Sequence, residues 1–232
     1  MLECDRLHTY YGAAHVLFAV SLNVAPGTAA CILGRNGVGK STTLRTVMGL
    51  TPPREGSILF KGRRIDGLPA YKVARMGLGY VPEDRRVFAE LSVEDNLLVA
   101  ERQAEGGFGW TAERAFEVFP ALQEFRTRLA GFLSGGQQQM LTIARALMGN
   151  PSMLLLDEPT EGLSPVMVKT LEEAILSLKR EGLTMLVAAQ DMHFAAKVAD
   201  HLYVMNRGAI VYEGQRADME RDAAVIQSHL VV

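Results

Sequence analysis

Gly34-Arg35-Asn36-Gly37-Val38-Gly39-Lys40-Ser41 is the stretch whose reading decides the fold. It fits the pattern G-x-x-x-x-G-K-[ST], in which glycines let successive backbone N–H groups curl around phosphate oxygens. Lys40 supplies a point charge for the β- and γ-phosphates, and the hydroxyl of Ser41 can meet Mg²⁺. Context makes the match specific. Ala29 to Leu33 reads as a short buried strand entering the loop, and Lys40 to Met48 as a helix leaving it, whose N-terminus adds partial positive charge. Gly34, Arg35, Asn36, Gly37, Val38, Gly39, Lys40, Ser41 and Thr42 together form a candidate phosphate cradle for ATP.

Working outward, short buried strands alternate with helices: Met153 to Leu156, Val166 to Lys179 and Thr184 to Ala188 follow the first strand–helix pair. Such alternation predicts an α/β fold with a largely parallel, helix-covered sheet, here a RecA-like P-loop NTPase core. Val168, Leu171, Ile175 and Leu178 recur at helical spacing and mark a core face. Before the loop, Leu2 to Leu7 and Val16 to Val24, separated by Tyr10-Tyr11-Gly12, read as an N-terminal antiparallel β-subdomain. Pro26-Gly27 makes a turn. Between Glu83 and Gly149 strand signals vanish in favour of helices at Val93 to Gln103, Thr111 to Phe119 and Gly136 to Leu147, broken by Gly106-Gly107 and Pro120. Leu202 to Met205 and Ala209 to Tyr212 flank Asn206-Arg207-Gly208 as a hairpin ahead of a helical tail. The expected organisation is one domain over 1–232, with an α/β core and N-terminal β-subdomain (1–83 and 150–232) and a helical subdomain (84–149).

The strand Met153 to Leu156 ends in Asp157-Glu158, so two carboxylates emerge at the C-terminal edge of a parallel sheet, where α/β sites form. Asp157 can serve Mg²⁺ and Glu158 can orient or deprotonate an attacking water.

Composition narrows the partners. With 24 basic against 26 acidic residues in 232, there is no electrostatic footprint for nucleic acid. The longest apolar stretches fall far short of the ~20 residues that cross a bilayer, and Met1-Leu2-Glu3-Cys4-Asp5-Arg6 lacks the start of a signal peptide. The expectation is a chain that stays cytoplasmic and touches a membrane peripherally. Cys4 and Cys31 read as small buried apolar residues.

Leu133-Ser134-Gly135-Gly136-Gln137-Gln138-Gln139 resembles the LSGGQ signature of ABC ATPases, and the resemblance covers essentially the whole chain. It implies ATP hydrolysis, with Ser134, Gly135, Gly136 and Gln137 at the N-terminus of an α-helical insert meeting the γ-phosphate held by a second, identical or paralogous, ATPase. Transmembrane permease subunits, and indirectly a solute-binding protein, are the further implied partners, on the cytoplasmic face of the inner membrane. Tyr11 sits where these ATPases stack a ring on adenine, with Tyr10 the weaker choice. Two positions depart from the general pattern. Glu83, in Val81-Pro82-Glu83, stands where glutamine is usual, and Gln190 where histidine is usual. Both departures are similar to ATPases of branched-chain amino-acid importers, with urea-importer ATPases also similar and envelope-lipid exporters as the competing reading. A soluble ABC ATPase outside transport is the remaining alternative. Ser164 stands where many ABC ATPases have aspartate.

The resemblance makes Lys40, Glu158 and Gln190 the catalytic candidates and Ser41, Glu83 and Asp157 the metal candidates. Crowding of Glu83, Asp157 and Glu158 is expected to raise at least one carboxylate pKa. Gln190 can hydrogen-bond phosphate but cannot become cationic. His193 reads as a surface or packing residue. Arg85, Arg86, Val87 and Phe88 form a basic and aromatic patch suited to docking a permease helix.

Overall fold

The computed structural model describes residues 1–102 and 109–231. In chain order its elements are β1 (Leu2–Tyr11), β2 (Ala14–Val24), β3 (Ala29–Leu33), α1 (Lys40–Val47), β4 (Glu55–Phe60), β5 (Arg63–Arg64), α2 (Ala70–Arg75) and β6 (Leu78–Val81). Then come α3 (Val93–Leu98), α4 (Ala112–Val118), α5 (Pro120–Gln123), a 3₁₀ turn at Ala130–Phe132, α6 (Gly135–Met148), β7 (Met153–Asp157), α7 (Pro165–Arg180) and β8 (Thr184–Ala189). α8 (Met192–Val198), β9 (His201–Asn206), β10 (Ala209–Gln215), α9 (Arg216–Arg221) and α10 (Ala223–Val231) complete the chain.

A six-stranded sheet runs β10-β9-β3-β8-β7-β6, and a four-stranded one β2-β1-β4-β5. β3, β7 and β8 are buried at every position, as apolar strands covered on both faces must be. Period-two alternation divides their side chains between two cores. Cys31, Leu33, Leu154, Leu156, Met185 and Val187 face one core with α6, α7 and α8. Ile32, Met153, Leu155, Leu186 and Ala188 face the other, shared with α1 and the antiparallel sheet. Asp157 has the parity of Met153 and Leu155, which points it toward α1.

Several boundaries differ from expectation. β1 runs through Tyr10 and Tyr11, so the turn is made by Gly12 and Ala13. The helix expected to reach Gln103 stops at Leu98: Ala100 and Glu101 N–H already bond three residues back, and Arg102 N–H leaves the helical path to donate to Met148 O at 3.1 Å. Gln103 itself and the break at Gly106-Gly107 lie outside the described residues. Pro120 opens α5 instead of breaking the chain: at the first helical position its missing N–H forfeits no bond. In α7, Leu171, Ile175 and Leu178 are buried, whereas Val168 is half-buried and lines a cavity. Between residues 84 and 149 the described residues contain no named strand, only one isolated bridge, Ser92 to Leu129. Both cysteines are buried and unpaired.

Candidate functional site

The phosphate loop is held on two sides, by β8 and by β2. Gly34 N–H donates to Ala189 O at 3.2 Å, tying the loop to the end of β8. Gly39, the residue capping α1, has φ of 113°, and a Cβ there would lie 2.9 Å from Leu17 Cδ2, so only glycine fits. No side chain caps α1, which leaves its first N–H groups for an anion.

Lys40 is 4% exposed, and its ammonium donates to Gly34 O at 2.6 Å and Arg35 O at 2.8 Å and is ion-paired with Glu158 Oε1 at 2.8 Å. Next along α1, Ser41 Oγ donates to Asp157 Oδ1 at 2.8 Å, while Tyr80 Oη donates to Asp157 Oδ2 at 3.1 Å. Hydroxyl and carboxylate oxygens are the hard donors Mg²⁺ prefers, so the residues present fit that ion. A cavity of about 320 Å³ joins Asn36, Gly37, Gly39, Lys40, Ser41 and Thr42 to Glu83 and Glu158. Val16 of β2 also lines it, a contact that no local motif announces.

The electrostatics follow from burial more than from the crowding expected. Burial leads the upward shift of Asp157, against the hydrogen bonds from Ser41 and Tyr80. It also leads for Glu158, against Lys40. At Glu83, on the solvent-facing rim, desolvation comes first and the charges of Glu161 and Asp157 add to it. Three carboxylates are thus raised, with mutual repulsion the lesser cause: the charge of Asp157 adds to the shift at Glu83 and at Glu158, and that of Glu161, which was not foreseen, adds to both. Burial and the charge of Asp157 push the Tyr80 phenol upward too, so it remains a donor. Glu158 sits at φ 45°, a left-handed conformation that costs about 1–3 kcal/mol in a non-glycine residue. Its N–H donates to Ala188 O at 3.0 Å, which holds it there.

Other candidates stand apart from this cavity. Gln190, exposed just beyond β8, lines a neighbouring cavity of about 450 Å³ with Glu158, Thr160, Glu161 and Asp191. Tyr11, at the end of β1, is 44% exposed. Tyr10 is instead engaged, its ring stacked on His15 at 4.1 Å and beneath Arg54 at 4.3 Å. His193 lies in α8 away from the buried face of that helix, as expected of a surface residue. Ser164 caps α7, accepting from Met167 N–H at 3.4 Å.

Ser134 caps α6 in a reciprocal box: its Oγ accepts from Gln137 N–H at 3.4 Å and its N–H donates to Gln137 Oε1 at 2.9 Å. Ser134, Gly135, Gly136 and Gln137 do not line the cavity at the same chain's phosphate loop. The patch expected after Glu83 divides. Arg85 turns inward, donating to Glu161 O with its guanidinium against Gly135. Arg86 pairs with Asp84 at 2.7 Å, and Val87 packs on the core. Phe88 is half exposed beneath Arg145, 4.6 Å from its ring. Arg86 and Arg145 also line a groove of about 470 Å³ with Leu50, Tyr80 and Val99.

Comparison with known proteins agrees with this geometry. The family model described as ABC transporter matches residues 17–161. The chain is 40% identical to the high-affinity branched-chain amino acid transport ATP-binding protein BraG of Pseudomonas aeruginosa, over 99% of each chain. It is 32% identical to the lipopolysaccharide export system ATP-binding protein LptB of Escherichia coli K12, over 99% of this chain and 96% of that one. Among solved structures, a dimeric post-hydrolysis state of an ATP-binding cassette bound to ADP and Pi superposes with TM-score 0.80 and 25% identity, over 93% of this chain and 99% of that one.

Proposed function

Because this chain belongs to the ABC transporter family as an ATP-binding and ATP-hydrolysing subunit, we propose that it energises an importer of branched-chain amino acids or a related solute. The observation that carries the reading is the convergence of Lys40, Ser41, Asp157 and Glu158 beneath one glycine loop. The cargo rests on the likeness to BraG, together with Glu83 and Gln190. The weaker likeness to LptB supports lipid export less.

In this reading Gly34 to Thr42 cradle the phosphates of ATP and Tyr11 stacks on the adenine. Ser41, Asp157 and Glu83 would hold Mg²⁺, which would supply charge neutralisation at the phosphates. Lys40 exchanges Glu158 for phosphate oxygen, and Glu158, released from that ion pair, orients and deprotonates the water. Gln190 contacts the γ-phosphate through its amide. A second ATPase brings its own signature, equivalent to Ser134 to Gln137, over the nucleotide, and residues 84–149 act as the subdomain that carries this signature. No helix among the described residues is long and apolar enough to cross a membrane. In this reading the chain works peripherally, with the permease seated in the groove between Leu50, Arg86 and Val99.

Isolation of the tagged chain from detergent-solubilised membranes, with ATP and Mg²⁺, is expected to bring two permease chains, a second ATPase and a solute-binding protein that retains a branched-chain amino acid. Recovery without any membrane subunit would overturn the transport reading. Recovery with a lipid-export permease would overturn the cargo.

A second expectation concerns pH. Burial raises Glu158 above the ordinary 4.5, so its proton is held to higher pH and the base form is lost earlier on acidification. The acid limb of the hydrolysis rate should fall at a pH above 4.5, and a limb at or below that value would contradict Glu158 as the base.

A further inference from the structure

Tyr80 belongs to neither the phosphate loop nor the carboxylate pair, yet it reaches two places at once. β6 is the edge strand of the six-stranded sheet and pairs in parallel with β7, Tyr80 opposite Leu155. Asp157 lies two residues beyond Leu155, on the same face of the sheet, so the two side chains are diagonal neighbours. The phenol reaches inward to donate to Asp157 Oδ2 at 3.1 Å, and the other oxygen of Asp157 accepts a hydrogen bond from Ser41 Oγ at 2.8 Å. The carboxylate is thereby fixed between a strand and α1. Among the described residues β6 has no neighbouring strand on its outer side, and Tyr80 is also part of the groove wall, with Leu50, Arg86 and Val99. Pro82, next but one along the chain and just before Glu83, lines the same groove.

We propose that Tyr80 is a positioning residue that aims the metal-facing carboxylate of Asp157 and makes its aim depend on what occupies the groove. Partners that orient a metal ligand typically change metal affinity by about 10–100-fold when removed, without touching the metal. Tyr80 lines the groove and bonds Asp157, so a shift of its ring on one side is felt at the other. This inference rests on the nucleotide and permease readings above.

The test uses the full chain and Mn²⁺ as the probe, read by its electron paramagnetic resonance signal with a non-hydrolysable ATP analogue present. Tyr80→Phe keeps the ring in the groove wall and removes only the hydroxyl. Mn²⁺ affinity is expected to fall on the order of tenfold, while affinity for the analogue in EDTA stays unchanged. Unchanged Mn²⁺ affinity, or an equal loss of analogue binding in EDTA, would overturn the positioning role. In the assembled transporter, wild-type Mn²⁺ affinity should differ from that of the free chain, and the difference should shrink in Tyr80→Phe. A difference that persists undiminished would overturn the link to the groove. If the wild-type chain bound no nucleotide, the ATPase reading itself would fail, a result distinct from all of these.

Discussion

Glu158→Gln is expected to lower the rate of ATP hydrolysis by about 10²–10⁴-fold, the usual contribution of a positioned general base, while leaving ATP bound. Glutamine keeps the volume and an accepting oxygen in place of the one that lies 2.8 Å from Lys40, but it cannot take a proton from water. The variant has a cost elsewhere. Lys40 is almost completely buried, and removing the charge from its carboxylate partner leaves a desolvated cation. Breaking such a pair destabilises by about 3–5 kcal/mol. The nucleotide-free variant should therefore melt below the wild type, and ATP should restore much of the difference, because phosphate supplies the anion that the neutral amide cannot. Single-turnover hydrolysis and thermal melts with and without ATP check both parts. A fall in turnover of less than about tenfold, well short of what a general base contributes, would remove Glu158 from that role and direct attention to Glu83 or Gln190.

The position of Glu158 at the end of a buried strand was legible in the sequence because β7 is apolar at four successive positions before the two carboxylates begin, and a strand buried on both faces announces itself by composition alone. The same holds for β3 and β8, whose expected spans differ from the observed ones by at most one residue. Between residues 50 and 77 the signal is too short to carry a period. In β4 only Ile58 and Phe60 are fully buried, and in α2 only Val73. The overrun of α3 has another origin: Leu98, Val99 and Ala100 continue an apolar helical stretch, but Ala100 and Glu101 N–H already bond three residues back and Arg102 N–H bonds the distant Met148 O.

In the site the line falls between contacts within one motif and contacts across strands. Lys40 and Ser41 follow from the loop, since eight consecutive residues, Gly34 to Ser41, specify their positions. Tyr80 does not, because its meeting with Asp157 depends on the register of β6 against β7, which no local pattern encodes. Arg85 is a similar case. As one of two arginines in the loop after β6 it reads as part of a docking patch, yet at φ 44° it reaches from the segment after β7 to the start of α6.

Gly135→Asp should abolish hydrolysis in the assembled transporter, by about 10²-fold or more as expected for a lost preorganised donor site, while the isolated chain binds nucleotide as before. Two effects act together at this position. A Cβ on Gly135 would collide with the Arg85 guanidinium, which is itself held by the Glu161 carbonyl, so the start of α6 must shift or the arginine must leave. Aspartate at the first residue of a 14-residue helix is electrostatically comfortable in the free chain, since it meets the partial positive charge of the N-terminus. In the proposed two-subunit arrangement that comfort becomes repulsion, because the second subunit would present a γ-phosphate to the same N–H groups. The separation between nucleotide binding and turnover follows from geometry, because Ser134 to Gln137 do not line the phosphate cavity of their own chain. Gly135→Ala distinguishes the two causes: it brings the collision without the charge, so a deep loss shared by both variants would assign the effect to Arg85. A deep loss in Gly135→Asp alone would assign it to the phosphate. Loss of nucleotide affinity in the isolated Gly135→Asp chain would contradict the two-subunit arrangement, because it would mean that the signature serves the phosphate loop of its own chain.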